Sequence, residues 1–260
     1  MTTVFLSFTT IPDPARHPDY NAWHQLDHRP ENLALPGVTS GERWVCAPGG
    51  ALTADALLAD LHYLNAYWFA EPAEHSVRDW QALAERSLDQ GRRPDLHWAR
   101  RLLMGFFEQV QIAVSPRLPL SPEALPLRPV RGVYVEVELL HDARSPAAEA
   151  HFRLERETYV PRLLAAEGVA GVAVLASLST TLDAPAEGAE ESTTLLVSPG
   201  AVRGRVRVRL AFLDGAPVVP APADAPPPGA RTLFRGVLRT IEPWRWDWFE
   251  QRVDTEGGSP

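Results

Sequence analysis

Apolar and polar residues alternate from the first residues of the chain. Val4, Leu6 and Phe8 fall on one side of residues 3–10, and Phe5, Ser7 and Thr9 on the other, the period of a β-strand. The prolines of IPDPARHP break the pattern, and residues 19–34 then carry Trp23, Leu26 and Leu33 at helical spacing up to a Pro36-Gly37 stop. Val38–Cys46 reads as a second strand and aromatic-rich 60–69 as a third. Glu74–Leu88 reads as a helix with Val77, Trp80, Leu83, Ala84 and Leu88 on one face, and Leu102–Val114 as a fourth strand. The order βαββαβ defines a split βαβ unit, whose antiparallel sheet carries both helices on one face and must cover the other.

Beyond a proline-rich stretch (Pro116–Pro129), read as a semi-rigid extended linker, a similar order begins again. It has a strand over Gly132–Leu140, a helix over Pro146–Ala166, and strands over Val169–Leu178, Val202–Leu213 and Thr232–Ile241. The acidic stretch 183–192 reads as mobile. The prolines of AFLDGAPVVPAPADAPPPGA forbid a regular helix, so this unit is expected to replace its second helix with a loop. Val4, Pro30, Leu33, Ala34, Gly37 and Val38 match Val135, Pro161, Leu164, Ala165, Gly168 and Val169 at a constant offset of 131 residues. The expected organisation is therefore a first unit (1–115) with the candidate pocket, a linker (116–130), a second unit (131–250) and a disordered tail (251–260). The fold class is α+β: two tandem ferredoxin-like units whose antiparallel sheets pack together as an intramolecular barrel.

Composition narrows the function classes. A net charge of −8 argues against nucleic acid as the main partner. There is no run of eighteen apolar residues and no basic leader before the first strand, so neither a membrane partner nor secretion is expected. The single Cys46 excludes an intramolecular disulfide and a cysteine metal cluster, and a reducing cytoplasm is the expected compartment. No GxGxxG, Walker A or GxSxG motif occurs.

Trp23-x4-His28-x-Pro30-Glu31, followed by Leu35-Pro36-Gly37-Val38, resembles a stretch of the dimeric α+β barrel superfamily, in a tandem, fused form. The likeness is to its EthD-like and antibiotic-biosynthesis monooxygenase-like members, and Glu71-Pro72-Ala73-Glu74-His75 with Trp80 is similar to a step before their second helix. The resemblance covers residues 3–113. Over 131–241 it rests on architecture, Tyr159-Val160-Pro161 and Gly168-Val169. It implies the fold and a ligand held between helices and sheet. It does not fix the reaction, because the superfamily spans cofactor-free monooxygenases, cyclases, isomerases, lyases, haem enzymes and proteins without known chemistry.

The residues themselves point to proton chemistry. His24 and His28 share one helix face, and Asp27 sits on its edge, an arrangement that suits a histidine acid–base held by a carboxylate. Their counterparts in the second unit are Glu155, Thr158 and Tyr159, so only the first keeps the set. Trp23, Tyr63, Tyr67, Trp68, His75 and Phe106 are the expected substrate-binding residues, and the sequence does not decide which face of the third strand lines a pocket. The HxxxH spacing also fits two metal ligands, but nothing in the spacing supplies a third, and no metal or cofactor is expected. Alternating Arg203, Arg205, Arg207 and Arg209 face Glu136 and Glu138 across strands, with Arg235 and Arg239 flanking; a cross-strand ion-pair ladder between the units is favoured over an anion site. The leading expectation is a cofactor-free enzyme acting on an apolar aromatic or polyketide-like small molecule, as a monomer or homodimer. A non-catalytic ligand-binding protein and a haem or metal enzyme are the alternatives.

Overall fold

The computed structural model describes residues 3–185, 192–196, 203–215 and 229–249. The first strand, β1 (Thr3–Thr10), leads into a helix made of three continuous segments: His17–Trp23, a wide turn His24–His28, and Arg29–Leu33. Strands β2 (Val38–Val45), β3 (Ala51–Ala54) and β4 (Tyr63–Phe69) follow, then the second helix (Glu74–Asp89) and β5 (Arg100–Val114). After β6 (Gly132–Leu140) a third helix runs through Pro146–Leu154, a wide turn Glu155–Tyr159, and Val160–Ala165. Strands β7 (Val169–Pro185), β8 (Ser192–Leu196), β9 (Val206–Leu213) and β10 (Ala230–Thr240) complete the described chain.

The sheet order is β2-β4-β1-β5-β7-β9-β6-β10, and β10 pairs back onto β2 through Arg239↔Val45 and Thr240↔Trp44. This closes an eight-stranded antiparallel barrel. Within each half the order is second, third, first, fourth, the arrangement of a split βαβ sheet. Each half joins the other by its fourth strand against its neighbour's second: β5 on β7 and β10 on β2. Closure removes the exposed edges that either sheet would have alone. The architecture is that of the dimeric α+β barrel, formed here within one chain.

Strand alternation decides what lies inside. Val4, Leu6 and Phe8 of β1, Trp44 of β2, Leu64, Ala66 and Trp68 of β4, and Val133, Val135 and Val137 of β6 fill the barrel interior, all fully buried. Trp44 and Trp68 both contact Phe212 of β9, so side chains from the two halves share one core. The opposite residues of the same strands face the helices. Each wide turn has a local cause. Pro30 and Pro161 lack the N–H that would bond the fourth residue back, and the next available bond runs from Arg29 N to His24 O and from Val160 N to Glu155 O. Gly37 (φ 82°) and Gly168 (φ 77°) end the two helices in the left-handed region that glycine tolerates.

The proline-rich stretch differs from expectation. Pro122–Leu127 forms a 3₁₀ turn, and Leu125 is fully buried in the interior cluster, packed on the Cβ-less Gly171. Burying this apolar side chain in the common core gains more than an extended linker allows. The ends of the stretch expected to be mobile, 183–185 and 192, lie in the β7–β8 ribbon. The loop expected in place of a second helix falls largely on 216–228, and the tail on 251–260, both outside the described residues. No helix among the described residues is long and apolar enough to cross a membrane.

Candidate functional site

A cavity of about 370 Å³ lies between the first two helices and the outer face of the first-half sheet. Phe5, Ser7 and Thr9 of β1, Asn65 and Tyr67 of β4, and Met104–Phe106 of β5 form its floor. Tyr20, Trp23, His24 and His28 of the first helix, with Trp80, Gln81 and Ala84 of the second, form its sides. Arg93, Leu96 and Ala99 from the loop after the second helix and Arg101 of β5 reach it as well. Ser179–Thr181, from the extended end of β7, bring the second half to the same wall. That approach needs Gly105, since a Cβ there would stand 2.0 Å from the Ser179 carbonyl oxygen.

Much of the lining is aromatic. Phe5 lies 4.5 Å from Trp80 and 5.4 Å from Phe106 between ring centroids, and Trp23 stacks on His28 at 4.6 Å and 19°. The His24 and His28 rings meet edge to face at 4.8 Å. His28 Nε2 lies 3.2 Å from the Asn32 amide nitrogen, which makes Nε2 the acceptor and leaves the ring proton on Nδ1 in the neutral form. Among the described residues, three lining side chains carry buried polar atoms with no partner: Trp23 Nε1, His24 Nδ1 and Trp80 Nε1. Buried polar groups are ordinarily satisfied, so three open valences around one cavity mark a place where a ligand or solvent completes the bonding.

Electrostatics keep both imidazoles neutral. Burial, followed by the charges of Arg93, Arg43 and Arg101, holds His28 down to about 3. Burial, then Arg43 and His28, lowers His24 well below the ordinary histidine value. Arg43 is the more unusual group, because it is fully buried and, among the described residues, has no carboxylate on its guanidinium. It donates to Asn65 Oδ1 (2.9 Å), Asn21 Oδ1 (3.0 Å) and Gln25 Oε1 (3.4 Å), and lies over the rings of Tyr20 and Tyr63 at 5.3 and 5.7 Å. Amide dipoles and ring faces thus hold a positive charge directly behind the cavity floor.

Of the residues singled out from sequence, His24, His28, Trp23, Tyr67 and Phe106 meet at the cavity, and four others do not. Asp27 turns outward, with both carboxylate oxygens 3.1 Å from Arg92 NH1, and gives the imidazoles no partner. Trp68 points into the barrel interior, because β4 puts Tyr63, Asn65 and Tyr67 on the helix side. Tyr63 serves a neighbouring buried network: Asn21 donates to its hydroxyl at 2.8 Å, leaving the hydroxyl hydrogen for His17 Nδ1 at 2.6 Å. Burial, together with His62, keeps that His17 at about 4. His75 is exposed and lies 3.5 Å from Asp79. Among the described residues no three His, Cys, Asp or Glu side chains converge as a metal site would require. Sequence reasoning missed Arg43, Arg93, Arg101 and Ser179–Thr181. Arg43 is adjacent to the interior-facing Trp44, so alternation along the strand could have put it on the helix side, but nothing local shows which loop and which foreign strand close the cavity.

The second half fills the corresponding space with charge. Arg209 donates to Glu136 (2.6 Å), Glu138 (3.2 Å) and Glu155 (3.0 Å); Arg207 binds Glu155; and Arg235 lies 3.5 Å from Glu136. His151 stands 3.2 Å from Glu138. Burial pushes Glu138 up, but Arg209 and His151 outweigh it and hold the carboxyl at about 2. The ladder expected between the units therefore lies within the second, between its sheet and the third helix. Glu155 and Tyr159 occupy the wide-turn positions that His24 and His28 occupy in the first half.

No protein-family model matches the chain, and no curated protein matches it. Among solved structures, it is similar to an anthrone oxidase-like protein at 12% identity, with 92% of this chain and 93% of that chain covered and a TM-score of 0.47. It is also similar to a candidate monooxygenase from Lactobacillus acidophilus NCFM at 8% identity, with 92% and 97% covered and a TM-score of 0.41. Likenesses this remote assign no activity to the chain.

Proposed function

We propose that the chain is a small-molecule enzyme whose first-half cavity takes up a flat, apolar aromatic or polyketide-like compound, and that His28, with His24 beside it, moves a proton on that compound without an organic cofactor. The observation that carries this reading is the pair of neutral imidazoles on the wall of an aromatic cavity with positive charge behind them. A neutral imidazole takes a proton from an acidic C–H or O–H of the substrate, at His24 Nδ1, which has no partner among the described residues, or at His28 Nε2 once the substrate displaces the Asn32 amide. The electron pair stays on the substrate as an enolate or phenolate, and Arg43, buried behind the cavity floor, stabilises that charge. This one step is common to cyclase, isomerase, lyase and monooxygenase chemistry. Asp27 has no part in it, being bound to Arg92. The work is divided between the halves: residues 1–115 hold the cavity, and 131–250 seal the barrel and supply the Ser179–Thr181 wall.

His28→Ala and His24→Ala test the assignment on a panel of phenolic and 1,3-dicarbonyl aromatic compounds, with products followed by mass spectrometry. Loss of an essential proton carrier lowers turnover by about a hundred- to ten-thousandfold while the circular dichroism spectrum is retained. Full turnover in both variants rejects it. A non-catalytic ligand-binding role is the second reading, favoured by the absence of a carboxylate on either imidazole. It predicts saturable uptake of such compounds with no change in their mass.

A further inference from the structure

We infer that the compound this cavity takes is an aromatic acid, and that Arg93 and Arg101 receive its carboxylate at the cavity mouth. The inference rests on the small-molecule reading above and specifies the ligand's charge.

Charge accounting carries it. Arg43 from β2, Arg93 from the loop after the second helix and Arg101 from β5 all act on the His28 imidazole, and no carboxylate is among the described residues that line the cavity. Among the described residues, neither the Arg93 nor the Arg101 guanidinium has a hydrogen-bond or ion-pair partner. Arg93 is half-buried beside the like charge of Arg101, and burial followed by that repulsion lowers its pKa. Two unpaired guanidiniums held near one another, one of them partly out of water, form an unfavourable arrangement that a bound anion reverses.

The second half shows how this same chain treats buried arginines when no ligand is involved. Arg207, Arg209 and Arg235 are set against Glu136, Glu138 and Glu155, charge for charge. The first-half cavity lacks the corresponding carboxylates although the chain as a whole carries a net charge of −8. A planar guanidinium fork matches a carboxylate. The Phe5, Trp80 and Phe106 surfaces deeper in the cavity match a flat ring system. The ligand that satisfies both is an arene bearing one carboxylate, its rings inward and its charge at the mouth.

The test compares 2-naphthoate with its neutral isostere 2-naphthamide on the whole 260-residue chain by isothermal titration calorimetry, at low and at physiological salt. Naphthoate is expected to bind about ten- to a hundredfold more tightly than the amide, and less tightly as salt is raised. Arg93→Gln and Arg101→Gln, both at the mouth rather than in the core, are expected to remove most of that preference while leaving amide binding within about twofold. Arg78→Gln, an exposed charge on the second helix, is the control and is expected to change neither. Equal affinity for the two probes, or naphthoate binding unaltered in the Arg93→Gln/Arg101→Gln double variant, overturns the anion assignment and leaves the cavity reading standing. Failure of both probes to bind at millimolar concentration overturns both.

Discussion

Single side chains in this protein take their roles from which face of a strand or helix they occupy. Tyr67 and Trp68 are adjacent in β4, yet one lines the cavity and the other fills the barrel. Trp68 is fully buried against Phe212, so Trp68→Ala removes a large share of the common core. It is expected to cost about 3–5 kcal/mol of stability, measured by urea denaturation. A cost below about 1 kcal/mol, of the order seen for exposed positions, would mean that Trp68 does not lie in that core. Asp27 makes the same point for charge. One helical position separates it from His28, and that rotation is enough to give its carboxylate to Arg92 and leave the imidazole without one.

At the scale of elements, most of the secondary structure was legible because periodicity and turn residues carry it directly. The alternation of residues 3–10 fixed both β1 and its two faces, and Pro36-Gly37 marked the end of the first helix. The pairing of the halves was legible from the constant spacing of Pro30 with Pro161 and of Gly37 with Gly168. Both pairs have a backbone reason, a lost N–H and a left-handed φ. The short strand β3, the β7–β8 ribbon and the Leu125 plug were not legible, since each is stabilised by partners far away in the chain. The site divides along the same line. The helix residues Trp23, His24 and His28 could be found from local spacing, whereas Arg93, Arg101 and Ser179–Thr181 reach the cavity only through tertiary packing. The first helix is held against the second at Gly37, where a Cβ would fall 2.0 Å from Ser76 Oγ. Gly37→Ala is therefore expected to lower stability by about 1–3 kcal/mol, from the strained φ together with the clash. A thermal-melt midpoint equal to wild type would contradict that contact.

For the whole molecule, two halves of the same strand order close one barrel and then use their outer faces differently. The second packs its third helix on a charge-matched ionic cluster; the first leaves a cavity whose cations are not matched. The cavity histidines couple this asymmetry to pH. A histidine kept neutral in the fold binds fewer protons than in the unfolded chain, so its contribution is fully present above about pH 6.5 and is lost as pH falls toward the folded value, about 3 for His28. A bound anion offsets the arginine charges and raises both imidazole pKa values, which links ligand charge to proton-carrying capacity at the site.

Histidine-resolved NMR titration, without and with saturating 2-naphthoate, tests that coupling most directly. The expected result is that the His24 and His28 rings stay neutral down to pH 5 in the free protein, and that both shift and begin to titrate at higher pH once the anion is bound. Titration of both near pH 6.5 in the free protein, with no response to the anion, would contradict a buried, positively biased cavity in the first half.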